Sequence, residues 1–466
     1  MDCTYPKEAI SISDLRPISL LEVLRKTQLS LVKDRIDRIL EAHPLLLDSQ
    51  HCGLSGRSCE TALLRTINTL EEAEEKKLQL HVLQVDYKRA FDSVSYPVRM
   101  IGLLRIGIPP PLARYLVNLD EGARTVVRTP YAKARIEKNP RSISTLSFCQ
   151  QRGTGQGDTL SSLNFSTVLD ILMTLIRESV QDDIRTRVDS VNIEPVGDLG
   201  YADDWLLMAT TMAKLQDKAF MASAGAAMLG LTTSPKSEAF MLDYSHSIKE
   251  PMEPLQMWDH NWDQFELPFV DKESFKYLGA IIQRSGTSKA QHKALLPPLR
   301  SLSRYICSRR ASPESMLIAL KSALVPKILY PLKFTCESSV VLKDISKILC
   351  SAYRKVSRNM MSFPTSLLLL PRRLGGLGFP DIELLVFQAK LSMFYRMRTR
   401  KDSAAIASAL FYRRARSIGW DPVPGQYFAF PEDELIGPDC WMDTLIRFTR
   451  HSHSSITIGG SGKCSI

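Results

Sequence analysis

Apolar and polar positions alternate most sharply over residues 78–87 of this 466-residue chain. There Leu80, Val82 and Gln84 share one side and Leu83 and Val85 the other, with Asp86 at the C-terminal end. That period of two predicts a strand. Residues 196–210 read as strand, turn, strand, with Ala202, Asp203 and Asp204 in the turn, and 275–283 read as another strand. Residues 124–128 and 144–150 read as a strand pair leading into a glycine-rich loop. Elsewhere the spacing is helical. Over 15–40, Leu29, Val32, Ile36, Ile39 and Leu40 recur on one face. Residues 97–120 are mostly helical around a GIPPP break, 163–179 form a long apolar helix, and 212–230 an Ala/Met-rich one. After Gly286 the texture changes: 295–361 are basic and helical, punctuated by Pro313, Pro326 and Pro331. A loop with a glycine turn, LLLLPRRLGGLGFPDI, separates them from a second basic helical run over 382–417. Proline, glycine and acidic clusters follow, and the Ser/Gly-rich tail from His451 is expected to be disordered.

The length allows two or three domains with substantial cores. A composition of 44% hydrophobic and 24% charged residues is that of a folded protein. The nine cysteines are scattered and odd in number, without a CxxC pair, and Cys52 and Cys59 lack a matching His/Cys set. Buried free thiols fit this pattern better than a zinc site. No stretch of about 20 uninterrupted apolar residues occurs, so no membrane span is expected. The opening MDCTYPKEAISISDL carries no signal-peptide pattern. The net charge of +10 is unevenly spread: residues 291–420 hold 23 Lys/Arg against 6 Asp/Glu, and the remainder is mildly acidic. Such a division suits a protein that grips phosphate backbones with one region and metals with another. A solvated helical surface would give the same count.

Three carboxylates carry the candidate chemistry. Asp86 ends the strand in VLQVDYKRAFDSV, Asp203 and Asp204 sit at the hairpin tip of LGYADDWLLMA, and GTGQGDTLSSLNF lies between. Nucleotidyl transfer needs an attacking 3′-hydroxyl, an α-phosphate and a pyrophosphate leaving group in line. Two divalent ions about 4 Å apart can activate the first and neutralise the last. Mg²⁺ is usually held by one or two carboxylates together with substrate phosphates. Two adjacent Asp at a turn repel each other unless a cation joins them. An Asp-Asp pair alone also suits a surface turn; flanking apolar strands make the functional reading stronger.

Seven ordered motifs resemble the reverse transcriptase of non-LTR (LINE-like) retrotransposons: LRPISLLEVLRK, GLSGRSCETAL, VDYKRAFDSV, GTGQGDTLSSLNF, YADD, LGLTTSPKSEAFML and FKYLGAII. LPRRLGGLGFPDI is also typical of that class, and the likeness covers residues 15 to about 385. It implies an α+β right-hand polymerase. Residues 1–79 would be a truncated N-terminal part of the fingers, 80–285 a palm with an antiparallel sheet and part of the fingers, 286–400 a basic helical thumb, and 401–466 a C-terminal extension with a disordered tail. It also implies that Asp86, Asp203, Asp204 and the backbone carbonyl of Tyr87 hold two Mg²⁺ ions, with Mn²⁺ able to substitute. Phe91 would lie against the sugar C2′ and exclude ribonucleotides. Gln156 and Gly157 would meet template and incoming nucleotide, Arg57 the triphosphate, and Lys236 the leaving pyrophosphate. Tyr277, Leu278 and Gly279, with Tyr201, would support primer and template. The implied partners are an RNA template, a DNA primer and dNTPs, with no membrane and with an endonuclease elsewhere in the full element.

Plainer readings stand beside these: Phe91 as core, Lys236 as a solvated surface residue, Arg16 as a structural ion-pair partner, the 277–279 hairpin as palm packing. The sequence also departs from the family pattern. Thr159 and Ser162 replace two prolines, and Cys52 and Gly53 stand where Gly-Phe is usual. A truncated or decayed copy that only binds nucleic acid is the alternative from a different class. An RNA-dependent RNA polymerase fits less well, because Phe91 stands where those enzymes carry a residue that reads the 2′-hydroxyl. A group II intron maturase fits less well too, because the loop reads Gly-Gln-Gly-Asp.

Overall fold

The computed structural model describes residues 21–121, 123–126, 147–155, 157–181, 184–187, 193–245, 253–286, 288–309, 311–335 and 339–399, with short pieces between 406 and 465. Arg16, Pro17 and Gln156 lie outside the described residues. In chain order the strands are β1 (Gln79–Val85), β2 (Arg124–Val126), β3 (Ser147–Cys149), β4 (Arg185–Arg187), β5 (Ile193–Pro195), β6 (Asp198–Tyr201) and β7 (Asp204–Ala209). Then come β8 (Glu238–Asp243), β9 (Leu255–Trp258), β10 (Gln264–Leu267), β11 (Phe269–Asp271), β12 (Ser274–Tyr277) and β13 (Ala280–Gln283). The central sheet has the order β11-β8-β1-β7-β6. It is antiparallel except at its edge, where β11 runs parallel to β8.

The alternation in β1 divides two cores. Leu80 and Val82 enter one hydrophobic cluster with Leu206, Met208, Phe240 and Leu242. Leu83 and Val85 enter the other with Trp205, Leu207, Ala209 and Ala239. A sheet buried on both faces needs apolar residues on both sides of each strand. The first face is covered by helix Cys59–Glu75, by β12 and β13, and by helix Ile382–Thr399. Helices Ser161–Ser179 and Met212–Met228 cover the second. Small residues let those two approach closely: a Cβ on Gly225 would lie 2.8 Å from Leu172. A third cluster joins helix Val23–Ala42 to Tyr96–Arg105 and Pro110–Asn118.

Residues 275–283, whose alternation reads as one strand, form a hairpin at the positions where the resemblance implied one. Leu278 and Gly279 take φ of +45° and +82°, and two successive left-handed residues reverse the chain between β12 and β13.

Prolines break the basic region less than expected. Helix Lys289–Ser308 runs through Pro297 and Pro298, each of which removes a backbone donor. Burial of Leu295 and Leu299 beside them offsets that loss. The stretch Pro313–Leu332 also stays helical, and a π-helical turn at Leu320–Leu324 absorbs the misfit ahead of Pro326. That stretch is long and apolar enough to cross a membrane by composition, and its Leu320, Leu324, Ile328 and Leu332 are packed into the core of the helical region.

The segment past residue 400 is more than a tail. Ile406, Ala407, Leu410, Trp441, Met442, Leu445 and Ile446 are buried in the same cluster as β1. Trp441 reaches both sides: its indole N–H donates to Lys333 O at 2.6 Å and its backbone N–H to Glu71 at 2.8 Å. Arg413 meets Glu71 and Glu72 on helix Cys59–Glu75, and Arg414 pairs with Asp443 at 2.7 Å. Glu60 at the start of that helix pairs with Lys333 and Arg396, at 3.0 and 2.8 Å. In the expected disordered tail, Thr457–Ile458 pairs with Cys464–Ser465.

Candidate active site

The three aspartates meet at one end of the central sheet. Register pairs Val85 with Trp205, so the next position sets Asp86 across from Asp204. Tyr201 pairs with Asp204, leaving Ala202 and Asp203 as the two-residue turn between β6 and β7. Ala202 is left-handed at φ +55°, a conformation that costs an alanine about 1–2 kcal/mol and that persists only when the surroundings hold it. They do. Residues 49–51 run parallel beside β6, with Gly200 N–H donating to Ser49 O at 3.0 Å and His51 N–H donating to Gly200 O at 2.9 Å. The Cys52 thiol meets the Ala202 backbone, and burial pushes it up to about 11, so it stays protonated at neutral pH. The Tyr201 side chain hydrogen-bonds with Cys59, and burial holds its hydroxyl well above the ordinary tyrosine value.

The chain leaving β1 is fixed on its other side by residues 232–237. Asp86 N–H donates to Ser237 Oγ at 3.0 Å, Ser234 N–H to Asp86 O at 2.8 Å, and Lys88 N–H to Thr232 O at 2.9 Å. With residues 86 and 88 bonded to that side, alternation turns the carbonyl of Tyr87 the other way, toward β7. Tyr87's ring is buried, which raises its hydroxyl far above the usual value. Lys236 is exposed on the same loop, two residues beyond the Ser234 contact.

Asp86 and Asp203 are half-buried and Asp204 is exposed. Among the described residues no three His, Cys, Asp or Glu side chains form a ready metal cage. The donor set nevertheless fits a hard divalent cation: carboxylate and carbonyl oxygens from neighbouring strand ends, open to a substrate that completes the coordination.

Phe91 sits in the turn Ala90–Ser93, its ring stacked on Phe165 at 4.7 Å and 25°. The glycine-rich loop is bonded to that turn. Gly153 N–H donates to Val94 O at 2.7 Å and Thr154 N–H to Phe91 O at 2.8 Å. Gly153 has φ +93°, and a Cβ there would lie 2.9 Å from the Cα and O of Asp92. Burial raises the Asp92 carboxyl, with Arg89 opposing. Gly157 is left-handed as well and exposed.

Sequence reasoning missed the buried charges behind this loop. Arg99 donates to Gly153 O at 3.1 Å and to Asp120 at 2.7 Å. Arg25 joins the same Asp120 and reaches Asp158 at 3.0 Å. Arg57 is turned to the chain: its guanidinium donates to the carbonyls of Leu47 and Gln50, both at 2.6 Å. The β12–β13 hairpin is tied at Lys276 and Tyr277 to the strands that carry the aspartates. Gln84, two residues before Asp86, donates to Lys276 O at 3.3 Å, and the buried Tyr277 donates to Leu199 O on β6 at 3.4 Å. Burial, then the Asp204 charge, pushes the Tyr277 hydroxyl well up.

Residues 5–282 match the family model described as "Reverse transcriptase (RNA-dependent DNA polymerase)". The chain is 25% identical over 410 residues to the Retrovirus-related Pol polyprotein from type-1 retrotransposable element R2 of Popillia japonica, which covers 86% of this chain and 52% of that protein. It is 22% identical over 372 residues to the type-2 R2DM polyprotein of Drosophila melanogaster, covering 79% and 33%. The chain thus spans about half the length of the first relative and a third of the second. Apo telomerase from Candida tropicalis overlaps 84% of this chain and 59% of its own at 12% identity, with a TM-score of 0.35.

Proposed function

This chain belongs to the reverse transcriptase family, and we propose that it is the RNA-directed DNA polymerase core of a non-LTR retrotransposon protein, joining dNTPs to a primer 3′-hydroxyl on an RNA template. The observation that carries the reading is the meeting of Asp86, Asp203 and Asp204 at one end of the sheet, with the Tyr87 carbonyl turned toward them. Those four residues would hold a pair of divalent cations, which as Mg²⁺ (or Mn²⁺) would lower the pKa of the attacking hydroxyl and neutralise the leaving pyrophosphate.

The chain's own residues supply the rest. Phe91 is stacked on Phe165, and a ring held there would collide with the 2′-hydroxyl of a ribonucleotide sugar placed over it. The backbone at Gly153 and Gly157 lets the loop approach a base pair closely, and Gln156 and Gly157 are assigned to template and incoming nucleotide. Lys236 is assigned to the leaving phosphates. Arg57 is assigned to the triphosphate; one nitrogen of its guanidinium is bonded to Leu47 O and Gln50 O, which fixes the side chain beside that loop. Tyr277, Leu278, Gly279 and Tyr201 are assigned to primer and template. Residues 1–79 are assigned to fingers, 80–285 to palm, 286–400 to thumb and 401–466 to an extension. The basic thumb would track the duplex through phosphates, so hybrid affinity should fall steeply with salt. An endonuclease is expected elsewhere in the full element.

The test is divalent-metal-dependent extension of a DNA primer on an RNA template, with Asp203→Ala beside wild type. Extension by wild type and a loss of more than about a hundredfold in the variant, at unchanged melting temperature, supports the reading. Equal extension by the two sinks the metal assignment. Hybrid binding without extension by wild type is the result of a copy that only binds nucleic acid.

A further inference from the structure

We infer that Tyr330 is a positioning residue for the primer 3′ end, acting through the turn of Leu278 and Gly279. The inference rests on the reading of that turn as primer support. At its base the hairpin is tied to the strands that carry the aspartates, through Gln84 to Lys276 O and Tyr277 to Leu199 O. Toward the helical region β13 is tied by Ile281 N–H donating to Gln291 Oε1 at 2.7 Å, and the turn itself by Tyr330 Oη donating to Leu278 O at 2.8 Å. Leu278 is a bulky residue in a left-handed conformation, which a hairpin tip does not keep without support. The ring of Tyr330 closes the next position, since a Cβ on Gly279 would lie 3.2 Å from its Cε1.

Tyr330 is itself held. Its ring packs edge-on against Phe334 at 5.3 Å and 69°. Three residues on, Lys333 pairs with Glu60 and its carbonyl accepts from Trp441. Burial, with Cys59 and Glu60 nearby, pushes the Tyr330 hydroxyl up to about 12, so it remains a donor at neutral pH. A turn held from the helical region on one side and the catalytic strands on the other sets the height of whatever rests on it. Loss of the hydroxyl alone leaves the ring, the fold and the basic surface in place and frees the Leu278 carbonyl.

The experiment compares Tyr330→Phe with wild type in primer extension, hybrid affinity and melting temperature. A 2-aminopurine at the primer 3′ terminus reports base stacking in the bound hybrid without any turnover. The expected result is kcat lower by about tenfold, the scale of one lost hydrogen bond, with hybrid Kd, dNTP KM and Tm unchanged and terminal fluorescence raised. Gly279→Ala presses on the same ring from the turn side and should lower kcat too. The double variant should be no slower than the worse single one. Wild-type kcat and fluorescence in Tyr330→Phe would overturn the inference, as would a loss of rate that only follows a fall in Tm or hybrid affinity. If wild type binds the hybrid but does not extend it, the polymerase reading fails, and the fluorescence difference still decides the role of Tyr330. If wild type does not bind the hybrid, both readings fall.

Discussion

Replacing Gly153 by alanine should damage catalysis far more than its size suggests. The cost has two parts. A φ of +93° is a backbone an alanine reaches only at about 1–2 kcal/mol. The new Cβ would also lie 2.9 Å from Asp92 Cα and O and 3.1 Å from Asp92 C, all backbone atoms that cannot rotate aside. Carbon contacts become favourable near 3.5 Å, so loop and turn must separate by roughly half an ångström. That movement lengthens the Gly153–Val94 and Thr154–Phe91 bonds, now 2.7 and 2.8 Å, and drags on the Arg99 contact to Gly153 O. A total of about 2–4 kcal/mol is reasonable for strain plus weakened bonds, on the scale of a severe single substitution. The displaced pieces are the turn that bears Phe91 and the loop assigned to the template. Primer extension should therefore lose about tenfold or more in kcat/KM for dNTP, beyond what the fall in stability explains. The assay is steady-state extension at saturating hybrid, with thermal melting of the same preparations. A Gly153→Ala variant with wild-type kcat/KM and Tm would refute the argument that loop and turn are locked by close backbone contact.

Two more outcomes follow from named contacts. Phe91→Val should narrow discrimination against rNTPs by about tenfold or more while leaving dNTP incorporation measurable; an unchanged rNTP/dNTP ratio would leave Phe91 as packing against Phe165. Asp48, within 2.6 Å of Arg65 and 3.0 Å of Arg177, is raised by burial, but the two guanidiniums outweigh that and hold it well below the ordinary range. A carboxylate depressed in the folded state contributes stability above its unfolded pKa of about 4 and loses it as pH falls toward the folded value. Asp48→Asn should thus melt lower than wild type at pH 7, and the two curves should converge in acid. A gap in Tm that stays constant from pH 7 to pH 3 would be the contrary result.

The strands and the site were legible where local pattern and tertiary role agree. Alternation in β1 named both core faces, and an acid at the end of an apolar strand is conspicuous because nothing in strand packing asks for it. The hairpin at 278–279 was blurred because its first left-handed residue is leucine, which announces no turn. Pro326 and Pro331, read as punctuation, lie inside helical backbone because packing of Leu324, Ile328 and Leu332 overrides local propensity. The Arg25–Asp120–Arg99 set was invisible for a different reason. Charges in a helical stretch read as surface, and only the fold shows that Arg99 is 1% exposed and Asp120 7%. Residues 418–446 showed no readable period because proline, glycine and acids interrupt it; Trp441 there meets Glu71, 370 positions away.

That last distance has a consequence for synthesis. Helix Cys59–Glu75 is made well before the helical region, yet Glu60 meets Arg396, Glu72 meets Arg413, and Glu71 meets Trp441, 336, 341 and 370 positions later. At about 5–20 residues per second, its acidic face waits on the order of 20–70 s for its partners to be made. Throughout that interval the helix holds its acidic face without the two arginines and the Trp441 backbone N–H that meet it in the finished fold. The nascent chain can thus make its three carboxylates well before the residues that close the acidic face of that helix.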